Sequence, residues 1–139
     1  MYESSSPDMA ELNRAFVAAA RKGDVEALIG FFASDAVWEG SAVGTGTFEG
    51  HLAIRGMLED WLGAYDAFEV EMEEFVDLGN GVTFGVFVQK GRLRGSSGVV
   101  QSREAHVSLV ETKRIVRVAS FLDPSEARAA AERLAAERQ

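Results

Sequence analysis

The residues best suited to chemistry in this chain are Glu104, His106 and Ser120, in the stretch EAHVSLVETKRIVRVASFLD. Histidine ordinarily titrates near neutral pH, so it can both take up and return a proton. Side chains alternate along a strand, so Glu104 and His106 share one face, together with Ser102 and Ser108. A carboxylate beside an imidazole fixes its tautomer and raises its basicity. Ser120 donates or accepts a hydrogen bond but is no base at neutral pH. The competing arrangement turns this face outward, with Glu104 and His106 solvated or in an interface. In its favour, the odd-numbered face, Val107, Leu109, Ala119 and Phe121, is the more apolar of the two.

The turn between the two strands sets the register. ETKR has no glycine. A two-residue turn at Thr112-Lys113 places His106 opposite Ala119, whereas a three-residue loop places it opposite Ser120.

These strands need a scaffold, and the periodicity supplies one. Met9, Leu12, Phe16 and Ala20 fall at helical spacing, then Gly23 and Asp24 end one helix and cap the next. In VEALIGFF the apolar stripe of that second helix is Val25, Leu28, Ile29 and Phe32. SDAVWEG reads as a short strand with Trp38, and SAVGTGTFEG as a flexible loop. Its Gly44-x-Gly46 lacks the further spacing and the strand–helix alternation of a dinucleotide loop. A third helix starts near His51, placed at the surface, with Ile54, Met57, Leu58, Trp61, Leu62 and Tyr65 as its stripe. Gly56 within it invites close packing against another backbone. From residue 67 the period becomes two. Phe68, Val70, Met72 and Val76 form one face, and Glu69, Glu71, Glu73 and Asp77 the other. Asn80-Gly81 predicts a tight hairpin. Gly85 and Gly91 predict bulges or bends in the next strand. Pro124 opens a closing helix.

Helices, a strand, a helix, then four antiparallel strands predict an α+β domain over residues 9–139, after an extended or disordered segment over 1–8. A bent antiparallel sheet wrapped around three helices leaves a cone, the natural place for a ligand. Trp38, Phe16, Trp61, Tyr65 and Phe87 are the aromatic candidates for its walls, with core packing as their alternative use.

Composition narrows the function. The 139 residues carry 14 basic and 22 acidic side chains, a net charge of −8, which repels a phosphate backbone. Lys90, Arg92 and Arg94 alone offer a basic strip, better explained as a solvated face. Two distant histidines and no cysteine make no metal shell, so neither metal nor other cofactor is expected. No apolar run approaches the ~20 residues of a membrane span. No secretory signal is visible, so a cytoplasmic protein is expected.

FVAAARKGDVEALIGFFASDAVWEG, FEGHLAIRGMLEDW and HVSLVETKRIVRVASFLDPSEA together resemble the SnoaL-like branch of the nuclear transport factor 2-like superfamily, over about residues 9–130. The resemblance implies the cone-shaped, cystatin-like α+β fold. It includes polyketide cyclases, ketosteroid isomerases, epoxide hydrolases, dehydratases and non-enzymatic binders, so it does not fix a function. In the cyclases a histidine on the fourth strand and an aspartate on the last face the cone. His106 matches the first, but Ser120 stands at the second, three residues before Asp123. The epoxide hydrolases' Arg-x-Asp falls at Phe87 and Gln89, which disfavours that reaction. The resemblance thus implies a mostly apolar small molecule held by Trp38, Phe16, Trp61, Tyr65, Phe87, Gln89 and Ser120. His106 and Glu104 are the candidates for proton transfer of the cyclase or isomerase type. The alternative is a non-catalytic binding or association module. A homodimer through the sheet is expected, because the apolar odd-numbered face needs cover.

Overall fold

The computed structural model describes residues 7–139. Of the segment 1–8, residues 1–6 lie outside the described residues, and the first helix already begins at position 7. Helix α1 (Pro7–Lys22) turns Leu12, Phe16, Val17 and Ala20 towards the core. Gly23 closes it at φ +67°, a left-handed conformation that costs glycine little. The Asp24 carboxylate then accepts from the Ala27 N–H at 3.1 Å and caps α2 (Val25–Gly30).

Phe32 does not extend α2, as its spacing suggested. It opens strand β1 (Phe32–Gly40), because the Ile115 N–H reaches the Phe31 carbonyl at 2.8 Å and draws the chain into a sheet. Its ring still reaches the core, at 1% exposure. The glycine-rich stretch is no flexible loop. It forms a 3₁₀ turn (Ser41–Val43) and a strand, β2 (Gly46–Glu49), antiparallel to β1. The Glu39 carboxylate accepts from the Ser41 N–H and O–H and from the Thr47 O–H, tying this segment down.

Helix α3 (Gly50–Gly63) buries Ile54 and Leu58. His51 does more than sit at its surface end, for its Nε2–H donates to the Phe32 carbonyl at 2.7 Å and pins α3 to β1. Strands β3 (Tyr65–Gly79), β4 (Val82–Leu93), β5 (Val99–Glu111) and β6 (Arg114–Phe121) follow as an antiparallel meander. Asn80-Gly81 makes the expected two-residue turn, with φ +57° and +82°. β1 joins β6 in parallel, giving one mixed sheet in the order β2-β1-β6-β5-β4-β3.

The glycines of β4 stay in register, and the irregularities sit on β3. One extra residue between Met72 and Glu74 reverses the alternation there. Phe75 therefore turns to the inner face, and Val76 joins the outer core, opposite to the side its spacing indicated. Gly91 serves a close approach, since a Cβ there would lie 2.5 Å from the Tyr65 ring.

Each face of the sheet has its own core. On the inner face α1, α2 and α3 bury Phe32, Trp38, Val70, Ile115 and Val118. On the outer face α4 (Pro124–Glu137) lays Ala127, Ala131 and Ala135 over Val82, Phe84, Val86, Ala105 and Val107. The small alanines let the helix sit close to these β-branched and aromatic side chains. Within the chain, helix α4 thus covers the apolar odd-numbered face of β5 at Ala105 and Val107. The strand's even-numbered face, with Glu104 and His106, turns inward.

Candidate active site

A cavity of about 410 Å³ lies between the inner face and helices α1 and α3. Phe16, Val17 and Ala20 reach it from α1, and Met57, Asp60 and Trp61 from α3, one helical turn apart. The sheet contributes Trp38, Val70, Phe87, Gln89, Glu104, His106 and Ser120, and the segment after β1 adds Val43, Thr45 and Phe48. Every candidate read from the sequence borders this cavity except Tyr65. Tyr65 opens β3 instead, and its ring packs against Phe68 with centroids 5.3 Å apart. Ser108 borders a separate void, and Ser102 is exposed. The segment 43–48 was missed because its partner, β1, is not visible in its own composition. Asp60 was missed although it lies three residues from Met57 and beside Trp61, on the face of the apolar stripe.

The polar groups are paired across the walls. His106 Nε2 lies 3.2 Å from Glu104 Oε1, with the two side chains 17% and 25% exposed. With Glu104 ionised, the Nε2–H donates to it, which leaves Nδ1 as the basic nitrogen of the ring. The imidazole is packed between two aromatics. The Trp38 ring meets it edge-on at 5.4 Å, and Phe87 lies tilted at 4.8 Å. The Trp38 Nε1–H donates to Ser120 Oγ at 3.1 Å, and the Trp61 Nε1–H donates to Gln89 Oε1 at 2.9 Å. Both tryptophans therefore present apolar rings while their N–H groups are satisfied.

His106 stands directly opposite Ser120 in the β5–β6 ladder. Asp123, three residues further on, accepts from the Ser125 N–H at 2.8 Å and caps α4, so its carboxylate is committed away from the cavity. Phe16, Trp38, Phe87 and His106 also border a second void of about 50 Å³, where Asn13, Thr83 and Ser108 supply polar atoms. Among the described residues no group of three or more His, Cys, Asp or Glu is placed to hold a metal ion. None of the described helices is long and apolar enough to cross a membrane.

The profile of the SnoaL-like domain matches residues 13–118. No curated protein matches the sequence. Among solved structures, a Catenulispora acidiphila protein with a ketosteroid isomerase-like fold, in complex with trimethylamine, is 19% identical, with 91% of this chain and 94% of that one covered and a TM-score of 0.72. TerC, co-crystallised with polyporic acid, is 16% identical over 92% and 99%, with a TM-score of 0.70. An epoxide hydrolase of M. tuberculosis is 18% identical over 91% and 90%, with a TM-score of 0.69. At such identities these likenesses establish the shared fold alone.

Proposed function

The chain belongs to the SnoaL-like domain family, and on that premise we propose that it binds a largely apolar small molecule in the cavity and moves a proton on it through His106. The observation that carries this reading is the Glu104–His106 pair within an aromatic-walled cavity. Nδ1 of His106 is the base, and Glu104 stabilises the imidazolium formed when the proton arrives. Trp38 and Phe87 hold the ring in place and limit water around it, which strengthens the pair's interaction. Gln89 and Ser120 orient the ligand's polar end.

One observation favours a binder without catalysis. The position opposite His106 is a serine already engaged by Trp38, so a second acid–base carboxylate is missing from β6.

The test uses a panel of apolar ketones and aromatic compounds, with polyporic acid and trimethylamine among the probes because structural neighbours hold them. A ligand at 100 times its dissociation constant adds about 2.7 kcal/mol to stability and raises the melting temperature. For a substrate that turns over, His106→Asn is expected to lose roughly 100- to 10,000-fold in rate with affinity nearly unchanged. Undiminished turnover would remove His106 as the base. Binding of ligands with no turnover of any favours the binder, and a panel without a single response removes both readings.

A further inference from the structure

We infer that the ligand of this cavity carries a positively charged nitrogen, a protonated tertiary amine or a quaternary ammonium group, seated between Glu104 and the aromatic walls; this rests on the small-molecule reading above. Five aromatic rings, Phe16, Trp38, Phe48, Trp61 and Phe87, border the cavity. Among the described lining residues two are carboxylates, Glu104 and Asp60, and none is lysine or arginine. Ring faces carry partial negative charge and attract an organic cation, most strongly where water is excluded.

Glu104 decides between a neutral and a cationic occupant. Only Oε1 of its carboxylate has a partner among the described residues, the His106 ring, and Oε2 has none. A neutral apolar ligand closing over this group would strip water from an anion without replacing it, at a large cost. An alkylammonium group removes that cost, because it offers charge to the carboxylate and methyl groups to the rings. Asp60, exposed at the end of the α3 stripe, and the chain's net charge of −8 draw the same ligands in from solution.

The experiment compares phenyltrimethylammonium with its neutral carbon isostere, tert-butylbenzene. The protein's two tryptophans, Trp38 and Trp61, both border the cavity and report binding by fluorescence. The ammonium is expected to bind roughly tenfold or more tightly than the isostere at low salt. Glu104→Gln should remove most of that preference while leaving the affinity for tert-butylbenzene unchanged or improved, and Asp60→Asn should remove less. Melting curves of both variants establish that they are folded. Equal or tighter binding of the isostere overturns the cationic ligand but leaves the apolar cavity standing. Binding of neither probe overturns both. A preference that persists in folded Glu104→Gln overturns the seat at Glu104.

Discussion

His106 faces Ser120 across the β5–β6 ladder although the turn joining these strands holds only two residues, Thr112 and Lys113. A two-residue turn by itself would have set His106 opposite Ala119. Near the turn that register does hold, with Glu111 paired to Arg114 and Val110 to Ile115. Val116 is then passed over, and Leu109 pairs with Arg117. This bulge resolves a conflict of alternation. Ile115 and Val118 both belong to the inner core, yet they lie three residues apart and would fall on opposite faces of a regular strand. The extra residue lets both face inward and brings Ser120 in with them, under Trp38. The tight turn and the alignment of His106 with Ser120 therefore coexist, where the choice between turn lengths had set them apart.

The turn itself is strained. Thr112 and Lys113 stand at φ +49° and +64°, a region costly for any residue with a Cβ and most costly for a β-branched one. Replacing the pair by Asn-Gly, the combination this turn type prefers, is expected to stabilise the protein by about 1–2 kcal/mol. The urea midpoint should rise, with the slope of the transition unchanged. A midpoint that stays put or falls would show that the native side chains compensate the strain.

Glu39 gives the segment beside the cavity a dependence on pH. The Ser41 hydroxyl hydrogen bond first, then those from the Thr47 hydroxyl and the Ser41 N–H, hold its carboxyl below the ordinary glutamate range. A folded pKa lower than the unfolded one means that the unfolded chain takes up the proton first as pH falls. The contribution of Glu39 is therefore complete above the unfolded value of about 4.3, and disappears as pH drops through the folded value. Glu39→Gln should melt below the native protein at pH 7, and the gap should close on acidification below pH ~4. A gap constant with pH would assign the effect to lost geometry instead of charge.

The parts of this fold that were legible in the sequence are those with a long period or a local marker. The stripe of α3 up to Leu62, the Asp24 cap, the Asn80-Gly81 turn and the sharing of one strand face by Glu104 and His106 follow from residue type and spacing. The inward direction of that face does not, because the odd-numbered face is the more apolar. β2 was not legible, because four residues beginning with a glycine become a strand only when β1 lies alongside. The irregularities at Glu73 and Val116 leave no mark of composition. Each is fixed by which neighbours must reach the core, and Val76 was assigned to the wrong face for that reason. Gly56 has no packing explanation, since a methyl group added there would meet open space.

The hydrogen bond between Trp38 and Ser120 joins β1 to β6 and holds the ring that meets His106 edge-on. Ser120 is 2% exposed and Trp38 8%, so water has little access to either partner. Ser120→Ala should leave the indole N–H unsatisfied and cost about 1–3 kcal/mol, more than the loss of a hydroxyl from a surface site. Trp38 borders the cavity, so its emission should shift as the ring loses its anchor, and His106 should lose one fixed wall. Ser120→Thr keeps an acceptor at the same carbon and should recover part of that stability. A loss below about 0.5 kcal/mol in Ser120→Ala, with unchanged emission, would mean that a water molecule takes the hydroxyl's place or that packing alone orients the ring.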